Sequence, residues 1–345
     1  MSAWVRFAGL FVLAAAGVAC APPAGSSSED AELTSASDTS SIEPMPARPS
    51  PTVSGPASPA RRYSCGSSPG PSREENVCWR WHCDGDPRAA SSWSGDGATC
   101  NAGGLDPSAA DHALRRINVH RFLADLPPFA QEPAWSAAAQ QCALIAHANG
   151  KLSHEPPKDW ACWSPTGARM SEGSLIANVA LAPSIGAYIE DPGNETTMVH
   201  RRWLLDETLA SVGFGSTDRY SCVVVDGRSV SKPTAAKPAS VRGWSAWPPA
   251  GPVPFEVFED EKLDTAGWTV QSTKNDLAKA TVEVSSDGKD LPVVVTHLTD
   301  SLGSRTAIRF VPQGWVTEAG RSYAVAVTGS ARTIEFEVKP IACIE

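Results

Sequence analysis

Positive charge is scarce in this chain. Its 29 Lys and Arg against 38 Asp and Glu leave a formal net charge of −9. That balance removes the electrostatic basis for binding nucleic acid or an anionic bilayer. The apolar run from Phe7 to Val18 is too short to span a membrane. No phosphate-cradling glycine loop, His-Glu-x-x-His helix or dinucleotide fingerprint occurs. His154-Glu155 is followed by Pro156-Pro157, which forbids a metalloprotease helix there. Gly66-Ser67-Ser68-Pro69-Gly70 has nucleophile-elbow spacing, but no apolar strand precedes it and no helical pattern follows. Ser153 and His154 are adjacent, and adjacent residues rarely turn their side chains on each other. Large apolar side chains are almost missing from residues 21–62, which are rich in Ser, Pro and Ala. Such a segment buries too little surface to offset its backbone entropy, so a disordered tether is expected.

What is present points to export. Nine cysteines are scattered singly through 345 residues, which reads as disulfide chemistry in an oxidising compartment. Arg6 precedes the apolar run, and Gly17-Val18-Ala19 leads directly to Cys20. Residues 1–20 therefore resemble a bacterial lipoprotein signal, with Cys20 acylated and first in the mature chain. Gly17 departs from the usual Leu-like residue, and plain cleavage after Ala19 is the alternative. Lipidation of Cys20 leaves eight cysteines, an even number able to pair. The expected address is secreted, on an outer membrane or cell surface.

The length predicts two or three folded units. Residues 63–104 hold Cys65, Cys78, Cys83 and Cys100 with little periodicity, and read as a small module whose four cysteines pair among themselves. A zinc site from Cys78, His82 and Cys83 has poor ligand spacing. Residues 105–230 begin with Asp106-Pro107, an N-cap followed by proline at the first helical position. Ala110, Leu114 and Ile117 recur at helical spacing until Pro127-Pro128. A second helix runs from Pro133 through Trp135, Ala138, Cys142 and Ile145 to Gly150. A helix or turn over 171–182 and a helix around 185–191 come next, and Asn194 is placed to cap the helix holding His200. Strands are expected at 212–215 and 220–225, making this an α+β unit. Residues 231–254 read as a Pro-rich linker that docks on one or both neighbours. Residues 255–345 then alternate in about seven short runs, at 255–258, 268–271, 280–284, 293–298, 307–311, 323–327 and 333–338. Asp287-Gly288 is a hairpin signal between two of them. The pattern predicts an all-β, immunoglobulin-like sandwich. Proximity in sequence suggests Cys142–Cys162, which leaves Cys222–Cys343 to tie the sandwich to the unit before it.

The middle unit resembles the CAP superfamily of cysteine-rich secretory, antigen 5 and pathogenesis-related proteins. Asn118-Val119-His120-Arg121 is similar to its Asn-x-x-Arg helix motif, and Leu152-Ser153-His154 to its Ser-His loop. Val199-His200-Arg201 resembles the Gly-His-Arg of bacterial members, and Val212-Gly213-Phe214-Gly215 the Val-Gly-x-Gly strand. The resemblance covers about residues 106–227 and implies an α-β-α sandwich with a shallow cavity holding two histidines and two acids. It places His154 and His200 there, with Glu172 as one acid and Glu190 or Asp191 as the other.

Two facing imidazoles could hold zinc, or with a carboxylate could do acid–base work. The leading expectation is a ligand-binding, adhesion or scaffold module, taking a small apolar or carbohydrate ligand or a cell-envelope component. The alternative is a zinc-assisted hydrolase of peptide or cell-wall substrates acting through His154, His200 and Glu172. Arg201 and Arg202 are expected to pair with Glu190, Asp191 or Glu195. His112, His120 and His147 are expected at the surface or rim.

Overall fold

Alternation along three short strands builds the first core. In β3 (Ser211–Ser216), Val212 and Phe214 point one way and Gly213 and Gly215 the other. In β4 (Ser221–Val224), Val223 faces with Phe214, while Cys222 and Val224 face the opposite side. β2 (Ser174–Ala177) splits Leu175 and Ile176 in the same way. With β1 (Ala130–Gln131) these strands form a sheet in the order β1-β3-β4-β2, antiparallel except for β1 with β3. The computed structural model describes residues 63, 65–66, 68–85, 92–236, 242–298 and 303–343. The signal segment, Cys20 and the tether lie outside them.

Helices cover both faces of this sheet. α3 (Pro133–Asn149) lies on the Cys222 face beside α4 (Pro165–Glu172). The two strand glycines explain how closely α3 sits. A Cβ on Gly213 would stand 2.5 Å from Trp135 Cβ, and one on Gly215 would stand 2.2 Å from the Ala139 backbone. α3 ends at Gly150 with a left-handed φ of 63°, as its C-cap position predicts. The other face carries α2 (Pro107–Leu123) and α5 (Leu181–Glu190). Asp106 caps α2 by accepting from Ser108 N at 2.8 Å. The short α6 (Val199–Leu204) follows α5.

The motif residues Asn118 and Arg121 are structural. Asn118 both donates to and accepts from the Phe129 backbone, at 3.0 and 2.7 Å. Buried Arg121 donates to the carbonyls of Pro127, Leu204, Asp206 and Leu209, and burial lowers its pKa to about 9. One arginine thus satisfies four carbonyls of two irregular segments.

The C-terminal region packs two sheets. One has the order β10-β11-β7-β5, from β5 (Trp244–Trp247), β7 (Trp268–Ser272), β10 (Val293–Leu298) and β11 (Thr306–Pro312). The other has the order β6-β13-β12-β8-β9, from β6 (Gly251–Pro254), β8 (Thr281–Ser286), β9 (Lys289–Leu291), β12 (Tyr323–Thr328) and β13 (Ile334–Ile341). Asp287 and Gly288 both take positive φ in the turn joining β8 to β9. Trp268, Val270, Phe310, Tyr323 and Val325 fill the space between the sheets.

Four expectations are corrected. Residues 231–254 are not only a linker, because β5 and β6 lie in them and belong to the two sheets. Residues 255–258 form a 3-10 turn that continues into α7 (Lys262–Ala266), not a strand. Residues 63–104 are no self-contained module. Helix α1 (Arg73–Cys83) buries Val77 completely in the core shared with α2, and Arg73 donates to Phe122 O at 2.9 Å.

The disulfides are the fourth correction. Cys65 bonds Cys83, but Cys78 bonds Cys343, Cys100 bonds Cys162 and Cys142 bonds Cys222. The inward face of α3 aims Cys142 at β4, where Cys222 is fully buried. Cys162 lies beyond the end of α3, beside Gly97 and Cys100. Proximity in sequence misleads here because a helix turns its two ends toward different neighbours.

Candidate functional site

The site is built where α5 stops and α6 starts. Asp191 ends α5 in the left-handed conformation with a φ of 57°, and Met198 opens α6 with a φ of 48°. This folded-back link lets Asp191 serve the next helix. Its Oδ2 accepts from the backbone N–H of His200 at 3.0 Å and of Arg201 at 3.2 Å, so Asp191 caps α6 from seven residues upstream of Met198. The sequence expectation gave that task to Asn194. Asn194 instead donates from Nδ2 to Asp191 Oδ1 at 2.9 Å and lies 3.3 Å from His200 Nδ1.

Both histidines are held in one tautomer. His200 Nδ1 lies 2.8 Å from Asp191 Oδ1, so Nδ1 carries the proton. His154 Nδ1 lies 2.8 Å from Ser171 O, and a carbonyl can only accept. In the neutral imidazoles Nε2 is then the acceptor on each ring. Buried Tyr188 packs edge-on to His200 with ring centres 5.0 Å apart, and its hydroxyl donates to Leu175 O at 3.0 Å. Burial raises the Tyr188 pKa, so the phenol stays protonated.

His154 and His200 line one cavity of about 480 Å³. Leu175, Val199, Trp203 and Val225 give it apolar walls, and Glu172, Asn194 and Asp226 add polar groups. Of the proposed acids, Glu172 reaches this cavity, and Asp191 touches it only through His200. Glu190 does not, because its side chain lines a different cavity. Asp226, which no sequence motif marked, also lines this cavity. The Arg228 side chain, donating to Asp226 at 2.8 and 2.5 Å, holds that carboxyl below the usual range. Ser153 Oγ accepts from Glu155 N, and His154 Nδ1 is turned to Ser171 O.

The arginines do not form the expected ion pairs. Arg201 spends its donors on the carbonyls of Ile189, Glu190 and Gly267 and on Thr269 Oγ1. Arg202 donates to Thr197 O at 3.1 Å and Ser304 O at 3.0 Å. Both are fully buried, and the guanidinium of Arg201 is met mainly by backbone carbonyls.

Residues 114–225 match the CAP family, described as the cysteine-rich secretory protein family. These residues are a CAP domain. No curated protein and no solved structure matches the chain. The CAP match spans the Asn118–Arg121 helix, β3 and every residue that lines the two-histidine cavity except Asp226. The CAP domain and the disulfides together point to an extracellular protein. Among the described residues no helix is long and apolar enough to cross a membrane.

The CAP cavity fits zinc poorly. Each imidazole has the oriented Nδ1–H that a ligating histidine needs. A catalytic zinc takes three protein ligands. Among the described residues, however, no group of three or more His, Cys, Asp or Glu is placed to hold a metal ion. Among the described residues the hydrolase expectation lacks that third ligand.

Proposed function

We propose that this disulfide-bonded CAP-domain protein is a ligand-binding module whose cavity takes a neutral amphiphile. The carrying observation is the pair of histidines, each with Nδ1 committed to the protein and Nε2 left to accept, in a cavity walled by Leu175, Val199, Trp203 and Val225. A hydroxyl or amide donor on the ligand satisfies an imidazole acceptor, and its apolar body covers the walls. Glu172 and Asp226 at the same cavity disfavour an anionic head group. Calorimetric titration with dehydroergosterol and with monolaurin tests this reading. Binding is expected for at least one, and the His154→Ala, His200→Ala double variant should weaken it by about tenfold or more through lost hydrogen bonds. Failure of both probes to bind the wild-type protein would remove the reading.

Two finer proposals go with it. The C-terminal region is read as immunoglobulin-like, because β10-β11-β7-β5 facing β6-β13-β12-β8-β9 corresponds to strands D-E-B-A facing A′-G-F-C-C′. Lipid attachment at Cys20 in a bacterial envelope is the second. Intact-mass measurement of membrane-extracted protein should show a diacylglycerol-modified Cys20, and Cys20→Ser should release the chain in soluble form. An unmodified Cys20 in the membrane fraction would overturn the anchor.

A further inference from the structure

We propose that the protein has a second ligand site, for a neutral sugar ring, where α1, the CAP domain and the C-terminal region meet. A cavity of about 450 Å³ opens there, within the ~300–1,000 Å³ usual for small-molecule sites. It is separate from the two-histidine cavity and shares no lining residue with it.

The site is built around His120, which the sequence expectation placed at the surface or rim. Only 4% of His120 is exposed, and its ring lies edge-on to Trp81 and Trp247, with centres 5.8 and 5.1 Å away. Among the described residues His120 Nδ1 is buried without a hydrogen-bond partner, and so is Oε2 of Glu256, which lines the same cavity. Unpartnered buried polar atoms cost about 1–3 kcal/mol each. Two of them bordering one cavity are the mark of groups waiting for a ligand. Burial, with Arg116 nearby, lowers the His120 pKa to about 3, so this imidazole is neutral. Burial also raises the Glu256 carboxyl above its ordinary range.

A third feature shapes the cavity. Gly186 sits inside α5, where glycine is unfavourable by about 1 kcal/mol relative to alanine. A Cβ there would stand 2.7 Å from Arg116 Nη2, so the glycine is what lets the guanidinium lie across the helix at the cavity wall.

The charges select the ligand class. Glu190, Glu256 and Glu259 face Arg116 and Lys262 around the cavity, so a ligand of either charge meets its own sign. A neutral ligand escapes that conflict. Its groups must donate to a carboxylate oxygen, satisfy a neutral imidazole nitrogen and lay an apolar face on indole. A pyranose does all three, with hydroxyls at its edge and C–H groups on its face.

Saturation-transfer NMR on the full chain tests this with glucose, galactose, mannose, N-acetylglucosamine, cellobiose, lactose and diacetylchitobiose. At least one should show transfer to its ring protons. Glu256→Gln, which keeps the side-chain shape, should weaken that binding about tenfold, and Gly186→Ala should do the same by displacing Arg116. His154→Ala should leave it unchanged. If Gly186→Ala does not fold, Glu256→Gln decides alone. Absence of transfer for every sugar would overturn the proposal. So would binding that ignores Glu256→Gln and disappears in His154→Ala, which would place the sugar in the CAP cavity. Because the amphiphile reading rests on the other cavity, either proposal can fail without the other.

Discussion

Replacing Arg201 by Met is expected to lower unfolding stability by about 3–5 kcal/mol. The guanidinium is 1% exposed and donates to Ile189 O and Gly267 O at 2.6 Å, Glu190 O at 3.0 Å and Thr269 Oγ1 at 3.4 Å. Met fills most of the volume but leaves those acceptors in a dry interior with nothing to accept. It also removes the cation that offsets the buried Asp191 carboxylate. Ordinary domains are stable by only ~5–15 kcal/mol, so the loss is a large part of the total. Arg201→Lys should recover only part, since one ammonium cannot reach donors spread over a planar fork. Exposed Arg219, changed to Met as a control, should alter stability by less than about 0.5 kcal/mol. Guanidinium-chloride unfolding followed by tryptophan fluorescence makes the comparison, and an unchanged midpoint for Arg201→Met would be decisive against it.

The reason for so large an effect is where Arg201 reaches. Ile189 and Glu190 belong to the CAP domain, whereas Gly267 and Thr269 belong to the C-terminal region. The residues after Arg201 continue the same seam. Gln271 Nε2 donates to Arg202 O and Leu205 O, and Ser245 Oγ also donates to Leu205 O. Glu207 accepts from Gly243 N at 2.9 Å and from the Thr273 hydroxyl. One apolar core then runs from Ile117 and Phe214 to Trp247 and Trp268. The short motif around His200 therefore divides its work. The histidine faces the CAP cavity, while Arg201, Arg202, Leu205 and Glu207 fasten the two regions together.

Local patterns carried much of the fold and little of that seam. α2 and α3 were legible because Asp106-Pro107, Pro133 and Gly150 mark helix ends and the apolar spacing between them is regular. The β8–β9 turn was legible from Asp287-Gly288, since few other pairs tolerate positive φ twice. β5 and β6 were not, because their Trp and Pro composition matches a linker and only pairing with β7 and β13 makes them strands. β2 was missed for a related reason. Four residues buried on both faces show no alternation in exposure. At the site, the two histidines could be picked out by resemblance. The role of Asp191 could not, because it depends on a left-handed residue folding one helix end back onto the next. Disulfide partners are likewise set by which helix face a cysteine occupies, and spacing does not report that.

Acidification should destabilise the protein well above the usual carboxylate range, with His120 as the cause. Its pKa falls from an ordinary 6.5 to about 3 in the folded chain, first through burial and then through Arg116. As pH drops below 6.5 the unfolded chain takes up the proton while the folded chain does not. The unfolded state thus binds more protons between pH 6.5 and 3, and stability falls by about 1.4 kcal/mol per pH unit in that window. Between pH 7 and pH 5 the expected loss is about 2 kcal/mol. Carboxyls held below their ordinary range, such as Asp226 with Arg228 donating to it, add losses only at lower pH. Glu256 works in the opposite sense. Burial raises its pKa, so the folded chain takes up that proton first and gains stability on acidification. His120→Gln removes the titrating group and isolates its share. Denaturant midpoints measured at half-unit steps should slope with pH in the wild type and flatten in the variant between pH 7 and 5. Equal slopes in the two proteins would show that His120 is accessible to protons in the folded chain, and its burial against Trp81 and Trp247 would not be what sets its titration.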